Sequence, residues 1–255
     1  MDIFKENALL NKNILITGAS SGIGANACKL FSLCGARTIL LGRNEEKLKQ
    51  VISNLNDAYT HAYIISDLSS EDSAYNTIKS LKTDFLPLDG IFHAAGSELV
   101  KPINLTKTRD LNFVFNSSVG GALSLSRAIS KRGIMKDGGS VIFMSSVAAI
   151  SGTAGLSAYS AGKAAIGGLL KSLAMEFANR KIRFNSIISG AIESPMHERL
   201  IKNMSKKSIE EYRAKHPFGF GSLSDISNLA VFLMSDASKW ITGSEIVIDG
   251  GYTVS

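Results

Sequence analysis

The chain has 255 residues, of which 45% are hydrophobic and 20% are charged, as in a globular protein with a sizeable core. It contains no linker, repeat or low-complexity tract, so we expect one domain spanning residues 1–255. The net charge of +6 comes mostly from dispersed basic residues, which argues against a nucleic-acid partner. Two cysteines without metal-ligand spacing predict reduced thiols, no metal site and a cytoplasmic location.

One uncharged stretch, residues 138–162, is long enough to suggest a membrane span. It is rich in serine and glycine, however, and holds only two apolar runs, at 141–144 and 147–150. A buried strand, a loop and the start of a helix explain it better. Asp2, Lys5 and Glu6 also interrupt the apolar core that a signal peptide needs. We therefore expect no membrane partner.

From the N-terminus onward, short β-rich runs alternate with longer helical patterns. Strands are predicted at 13–17, 38–41, 62–66, 90–94, 140–145, 183–188 and 245–248. Helices are predicted near 23–34, 44–55, 71–82, 107–132, 158–179 and 224–235. The strand runs lack polar alternation, as expected for strands covered on both faces. Repeated β-α units demand right-handed crossovers, so the sequence predicts an α/β, doubly wound parallel sheet of about seven strands with helices on both faces. Residues 192–217 fit no strand and predict a helical insertion or a substrate lid.

The first strand runs into a glycine-rich loop at residues 17–24. Its glycines let the backbone turn sharply and leave the loop amides open to a ligand. Together with the positive end of the following helix, these amides suit a pyrophosphate. A loop of this kind can also be purely structural. The residues predicted to contact a dinucleotide here are Gly18, Ser20, Ser21, Gly22, Ile23 and Gly24.

Two further strand ends bear on the choice of cofactor. An NAD site needs a carboxylate at the end of the second strand, but this chain has Gly42 followed by Arg43. A guanidinium can bind a 2′-phosphate through two charge-assisted hydrogen bonds, so NADP(H) is predicted over the alternative of an exposed arginine opening the next helix. Asp67 and Leu68 end the third strand, where the carboxylate can accept from the adenine amino group.

Tyr159 and Lys163 stand one helical turn apart on the same helix face. This spacing predicts that Lys163 stabilises the phenolate and lowers the pKa of Tyr159. Tyr75 and Lys79 have the same spacing. Only the first pair has a serine thirteen residues upstream, Ser146, just past the end of a strand. We therefore assign chemistry to the first pair and a surface helix to the second.

Taken together, these segments resemble the short-chain dehydrogenase/reductase family over nearly the whole chain. The matching segments are 17–24, Asp67-Leu68, Ala94-Ala95-Gly96, Asn116, Ser146, Tyr159 with Lys163, Asn185, 241–243 and 249–251. The resemblance implies a Rossmann-like fold, a Ser-Tyr-Lys-Asn tetrad, and usually a homotetramer or homodimer.

The resemblance also implies a role for each group. Tyr159 would protonate the carbonyl oxygen during reduction, and Ser146 would hydrogen-bond the same oxygen. Lys163 would hold the nicotinamide ribose, and Asn116 would position a water that links Lys163 to solvent. NADP(H) carries the hydride. The cofactor contacts implied beyond the glycine-rich loop are Arg43, Asp67, Leu68, Ala94, Ala95, Gly96, Tyr159, Lys163, Gly190, Ile192 and Ser194.

Three positions depart from the family pattern. His93 and Ala94 stand where the family has two asparagines, and we interpret His93 as a satisfied strand histidine rather than a base. Ser189 replaces a proline, so the loop near the nicotinamide loses a φ constraint. Ser194 replaces a threonine and keeps a hydroxyl for the carboxamide.

The sequence indicates the type of reaction more clearly than it indicates the substrate. The residues expected near the reacting carbonyl are small or apolar: Ala148, Leu156, Ala191 and Met196. They favour a neutral ketone or an acyl chain, including a 3-oxoacyl thioester. Asp137 stands where resembling carrier-protein reductases present a basic residue, although Arg180 and Lys181 lie nearby. One alternative is a reductase of sugar or polysaccharide-precursor ketones. An alternative from another class of protein is a non-catalytic NADP(H)-binding sensor or scaffold.

Overall fold

The computed structural model describes residues 7–68, 73–81, 83–202 and 204–255. Within them, seven parallel strands form one sheet in the order β3-β2-β1-β4-β5-β6-β7. The strands are β1 (Asn13–Thr17), β2 (Arg37–Gly42), β3 (Ala62–Ile65), β4 (Leu88–His93), β5 (Met135–Ser146), β6 (Arg183–Ser189) and β7 (Glu245–Ile248). The predicted fold class is confirmed. β5 is longer than predicted, since it begins at Met135 and includes Ser146 as its last residue.

Helices cover both faces of the sheet because its central strands are apolar on both sides. All residues of β1 and β6 are buried, whereas the edge strands β3 and β7 are only partly so. One apolar core lies under α1 (Gly22–Leu33), α2 (Glu45–Ile52) and α9 (Leu223–Met234). The opposite core lies under α3 (Ser73–Lys79), α5 (Gly121–Ile129) and α6 (Ser157–Glu176), with α4 (Thr108–Phe115) packed on α6.

The strand order reverses direction between β1 and β4, which are adjacent in the sheet. The connections that leave their carboxyl ends therefore diverge to opposite faces and open a crevice, the usual ligand position in such sheets. The loop after β1 is the glycine-rich loop, and the loop after β4 carries Ala94, Ala95 and Gly96. The fold thus brings together two segments that are far apart in the chain.

The prediction of a single helix at 107–132 is wrong in that the helix is not continuous. In the structure, α4 and α5 are joined by a π-helix at Asn116–Gly120. A π-helix fits an extra residue into the turn and changes which side chains face inward. Gly120 and Gly121 weaken the α-helix here, and Gly121 also admits a neighbour, since a Cβ on it would lie 3.1 Å from the His93 ring.

Residues 192–217 contain two helices, α7 (Pro195–Ile201) and α8 (Lys206–Ala214), as a helical insertion requires. Residue 203 of this segment lies outside the described residues, as do residues 71, 72 and 82 of the helix predicted at 71–82.

The stretch 138–162 forms most of β5, a short 3₁₀ turn, a loop and the start of α6, as predicted. Among the described residues, no helix is long and apolar enough to cross a membrane. Cys28 and Cys34 are buried and form no disulfide. Burial raises the pKa of the Cys28 thiol well above its ordinary value, so this thiol is inert at neutral pH.

Candidate active site

The glycine-rich loop lies against the loop that follows β4. Gly18 has a φ of +67°, and a Cβ on it would lie 2.9 Å from the backbone nitrogen of Ala95. Gly24 is constrained as well, because its Cβ would collide with the Gly18 carbonyl oxygen. Both positions therefore require glycine, and the loop presents bare backbone to a ligand.

The N-terminus of α1 is suited to an anion. Ser21 caps the helix without a side-chain hydrogen bond, and the first turn carries no acidic residue, so nothing offsets the positive end of the helix dipole there. Ser194 and Pro195 lie beside this loop, since a Cβ on Gly22 would be 3.8 Å from the Pro195 side chain. Ile23, which follows Gly22 in the chain, lines the cavity described below.

The end of β2 has little room for an acidic side chain. A Cβ on Gly42 would lie 3.3 Å from the Leu48 side chain, which is a tight contact, and 3.5 Å from the Ser20 hydroxyl. Arg43 is exposed at this point. A hydroxyl and a guanidinium therefore occupy the region where an NAD site needs a carboxylate. Beyond β3, Asp67 is exposed and Leu68 is buried.

A cavity of about 350 Å³ opens at the carboxyl ends of β5 and β6. Ser146, the last residue of β5, and Tyr159, in the first turn of α6, both line it. The other predicted residues on its wall are Ala148, Leu156, Gly190, Ala191, Ile192, Ser194 and Met196. In the part of the chain that the structure describes, no lysine or arginine lines this cavity.

Tyr159 has a different pKa from the one that the sequence predicts. Burial, helped by the charges of Glu98 and Tyr212 and opposed by a hydrogen bond with Ser146, raises the pKa of its phenol to about 12. The prediction that Lys163 lowers the pKa of Tyr159 is therefore wrong. The phenol is therefore protonated at neutral pH and is ready to donate.

Lys163 is buried behind Tyr159, with its ammonium 5.8 Å from the centre of the Tyr159 ring. Its Nζ donates to the carbonyl oxygen of Met144 at 3.0 Å, and burial lowers its pKa to about 8. The Ser145 hydroxyl donates to the Lys163 carbonyl oxygen at 3.1 Å, which fixes this turn of α6 against β5.

Asn116, the fourth residue of the predicted tetrad, is more exposed than the other three. It is exposed, at the first position of the π-helix. The buried residue of that π-helix is Ser118, whose hydroxyl lies near Gly96 and has no hydrogen-bond partner among the described residues. Asn116 was assigned from the family resemblance, which does not show how its helix turns; the Gly120-Gly121 pair was the available sign of an irregular helix.

His93 makes a complete set of hydrogen bonds, as predicted for a satisfied strand histidine. Its Nε2 donates to the carbonyl oxygen of Ser118 at 3.2 Å, so Nδ1 accepts from the Thr17 hydroxyl at 2.8 Å. The Thr17 oxygen in turn accepts from the backbone N–H of Ala95 at 3.1 Å. Burial, helped by the charge of Lys163 and opposed by the hydrogen bond to Ser118, lowers the pKa of His93 to about 4. The imidazole is neutral and both nitrogens are occupied, so it is not available as a base.

The polar residues on the cavity wall that the sequence analysis missed include Glu98, His197, Tyr212 and Tyr252. Glu98 follows the Ala94-Ala95-Gly96 segment closely, which was a usable signal. The other three come together only through the packing of α7, α8 and the C-terminal turn. Burial raises the pKa of Glu98, and the guanidinium of Arg199, 3.4 Å away, opposes that shift.

The second tyrosine-lysine pair lies away from this cavity. Tyr75, in α3, packs its ring under Arg127 and Lys131 of the α5 region, at 5.1 and 4.7 Å. Lys79 is exposed in the last turn of α3. Neither residue lines the cavity.

Comparison with known proteins decides the family. The family described as enoyl-(acyl carrier protein) reductase matches residues 18–253. A 3-oxoacyl-[acyl-carrier-protein] reductase of Rickettsia felis is 35% identical over 246 residues, which cover 95% of this chain and 97% of the relative. The chain belongs to the short-chain dehydrogenase/reductase family.

Other members of the short-chain dehydrogenase/reductase family agree with the fold. A gluconate 5-dehydrogenase of Gluconobacter oxydans is 26% identical over 251 residues, 97% of each protein. The solved structure of a short-chain type dehydrogenase/reductase from Mycobacterium ulcerans has a TM-score of 0.90 at 26% identity, covering 97% of this chain and 91% of that one. Membership of the family makes the chain an oxidoreductase that acts on carbonyl or alcohol groups with NAD(P).

The buried His93 of this short-chain dehydrogenase/reductase predicts an acid-sensitive fold. Its pKa is lowered from 6.5 to about 4 in the folded protein, so the unfolded chain binds the additional proton between these values. The resulting stability is complete above about pH 6.5 and is lost as the pH falls through about 4. We expect the free energy of unfolding to fall by up to about 3 kcal/mol more in the wild type than in His93→Asn over this interval.

Urea titrations of both proteins at a series of pH values measure this difference. The His93→Asn variant is the reference for the wild type, because asparagine does not titrate. Only the change in the free energy of unfolding with pH is compared, so a difference in absolute stability between the two proteins does not matter. Parallel slopes for the two proteins would show that His93 is not the neutral, fully bonded group described above.

Proposed function

We propose that this protein reduces a neutral carbonyl compound with NADPH, and that Tyr159 supplies the proton. The observation that carries the proposal is the apolar cavity with a protonated phenol and the Ser146 hydroxyl on its wall and no cationic side chain among its described lining residues. Such a cavity favours an uncharged ketone whose oxygen is held by two hydroxyl groups.

The fit to the phosphate-bearing half of the cofactor rests on backbone geometry. The loop glycines exclude side chains, and the N-terminus of α1 offers a positive end to a pyrophosphate. Arg43 and Ser20 would hold the 2′-phosphate of NADP(H), because Gly42 replaces the carboxylate that would repel it. Asp67 and Leu68 would contact the adenine. When bound, the nicotinamide supplies the hydride.

The chain's own residues would manage the proton. The Ser146 hydroxyl would orient the substrate oxygen and stabilise its growing charge. Tyr159 would donate its phenolic proton to that oxygen, which its raised pKa favours in the direction of reduction. Lys163 has ammonium hydrogens left after its bond to Met144 and would hold the nicotinamide ribose, near Ser194 and the loop at Gly190.

The substrate class we favour is a 3-oxoacyl thioester. The cavity wall is largely aliphatic, and Glu98 on it disfavours an anionic substrate. An acidic carrier protein gains little from Arg180, however, because this side chain is already bonded to Asp137 and to the carbonyl oxygens of Ile129 and Met135. A small thioester is therefore the better description than a carrier-bound one.

Two other functions are alternatives to this proposal. A sugar-type ketone reductase is supported by the likeness to a gluconate 5-dehydrogenase and by the polar residues His197, Tyr212 and Tyr252 of the cavity. A non-catalytic NADP(H) sensor would bind the cofactor without turnover. A homodimer or homotetramer and a cytoplasmic location remain predictions; the exposed apolar Phe113 and Leu123 are compatible with assembly.

Cofactor preference is the first test. We expect NADPH to bind at least about tenfold more tightly than NADH, because Arg43 can pair with the 2′-phosphate. Nucleotide fluorescence titrations measure both constants. Arg43→Ala should abolish the preference, whereas Lys47→Ala, which removes an exposed charge in the next helix, should retain it. Equal affinities for both cofactors in the wild type would refute the NADPH assignment.

Turnover is the second test. With NADPH, the protein should reduce the neutral acetoacetyl-N-acetylcysteamine thioester, and kcat/KM for anionic 5-ketogluconate should be at least about tenfold lower because of Glu98. Tyr159→Phe should lose several orders of magnitude in kcat with little change in NADPH affinity. Tyr75→Phe, the matched control, should stay within about twofold. Better reduction of 5-ketogluconate would favour the sugar-type reading, and NADPH binding without any turnover would favour the sensor.

The third test concerns residues 192–217 as a lid. α7 contributes Met196 and His197 to the cavity, and α8 contributes Tyr212. The start of α7 also adjoins Gly22 of the glycine-rich loop. Cofactor binding should therefore slow hydrogen exchange in α7 and α8, with α9 as the internal reference. Equal exchange rates with and without NADPH would leave this segment as a fixed wall.

A further inference from the structure

Ser118 is a buried polar residue that the sequence analysis did not use. It is 1% exposed, and its hydroxyl has no hydrogen-bond partner among the described residues. Burying a hydroxyl without a partner is unfavourable, so such a group calls for an explanation. Its position supplies one, because it lies close to the buried ammonium of Lys163.

Gly96 lies beside both of these polar groups. A Cβ on Gly96 would lie 3.2 Å from Lys163 Nζ and 3.7 Å from Ser118 Oγ. Both groups therefore border the space that the missing side chain leaves. An ammonium has three hydrogens to donate, and that of Lys163 makes one described bond, to the Met144 carbonyl. The Ser118 hydroxyl oxygen, which borders the same space, can accept from another hydrogen through one bridging water.

The backbone of Ser118 is fixed independently of its hydroxyl. His93 Nε2 donates to the Ser118 carbonyl oxygen at 3.2 Å, and the absence of a side chain at Gly121 lets the imidazole come close. The π-helix places Ser118 on the buried side, whereas Asn116 at its start is exposed. The buried side chain of the π-helix is therefore that of Ser118, two residues after Asn116.

We propose that Ser118 is a positioning residue for Lys163 and that His93 holds it in place. The proposal rests on the catalytic assignment of Tyr159 and Lys163 made above. Ser118 touches neither substrate nor reacting atoms; it supports the charged form of Lys163 against the burial that disfavours it.

The direct measurement is the titration of Lys163 by NMR of ¹³Cε-labelled lysine, with its signal assigned from Lys163→Arg. Its pKa is lowered to about 8, which separates it from an ordinary lysine. Ser118→Ala should lower this pKa by a further half unit or more, on the order expected for one lost polar neighbour. Ser118→Thr, which keeps the hydroxyl, should retain the wild-type value. Asn116→Ala tests the rival residue and should leave the titration unchanged, as should Asn112→Ala on the exposed face of α4.

Kinetics with NADPH and acetoacetyl-N-acetylcysteamine give the second readout. In Ser118→Ala, kcat at neutral pH should fall about tenfold, and the limb of its pH profile should move with the Lys163 titration. The dissociation constant of NADPH should stay within about twofold. A Lys163 titration that moves in Asn116→Ala but not in Ser118→Ala overturns the proposal, and so does one that moves in neither.

These outcomes are distinguishable from a failure of the proposed function. If Tyr159→Phe keeps full activity, the catalytic assignment is wrong, and the NMR titration still reports on Ser118 and Lys163. If Tyr159→Phe is inactive and Ser118→Ala matches the wild type in titration and kinetics, the proposed function stands and the role of Ser118 is wrong.

Discussion

The hydrogen bonds of one buried imidazole connect the parts of the site that come from different regions of the chain. His93 ends β4, accepts from Thr17 at the start of the glycine-rich loop, and donates to Ser118 in the π-helix. Thr17 also receives the N–H of Ala95. Each nitrogen has a defined role only while the ring is neutral, and burial enforces that state. The cofactor loop and the helix behind Lys163 are therefore held in register by a single uncharged group.

Burial also sets the protonation of the two groups expected to do the chemistry. It raises the pKa of Tyr159 and lowers that of Lys163, so both are pushed toward their uncharged forms. For Tyr159 this stabilises the proton that a reduction consumes. For Lys163, burial disfavours the charged ammonium form, which therefore depends on hydrogen bonds to nearby oxygen atoms such as the carbonyl oxygen of Met144. Polar neighbours of Lys163 thus matter more in this interior than they would in water.

Local sequence signals were sufficient where function depends on strand ends. The apolar runs gave all seven strands, and the glycine-rich loop and Ser146 lie at the carboxyl ends of β1 and β5, because a parallel sheet places those ends on one edge. They were insufficient for the helix that carries Asn116, since a helical period cannot reveal a π-helix that changes which side chains face inward. They were also insufficient for the pKa of Tyr159, because spacing shows the nearby lysine and not the desolvation that outweighs it.

Substrate choice and cofactor binding share one element, α7. Its first residues, Ser194 and Pro195, lie beside Gly22, and the Ser194 hydroxyl caps the helix by accepting from the His197 N–H at 3.2 Å. One turn further on, Arg199 pairs with Glu98, which lines the cavity. A displacement of this short helix would change both the cover of the glycine-rich loop and the charge that faces the substrate. Since neither Ser146 nor Tyr159 belongs to α7, the range of substrates can vary through this helix while the proton-donating groups stay in place.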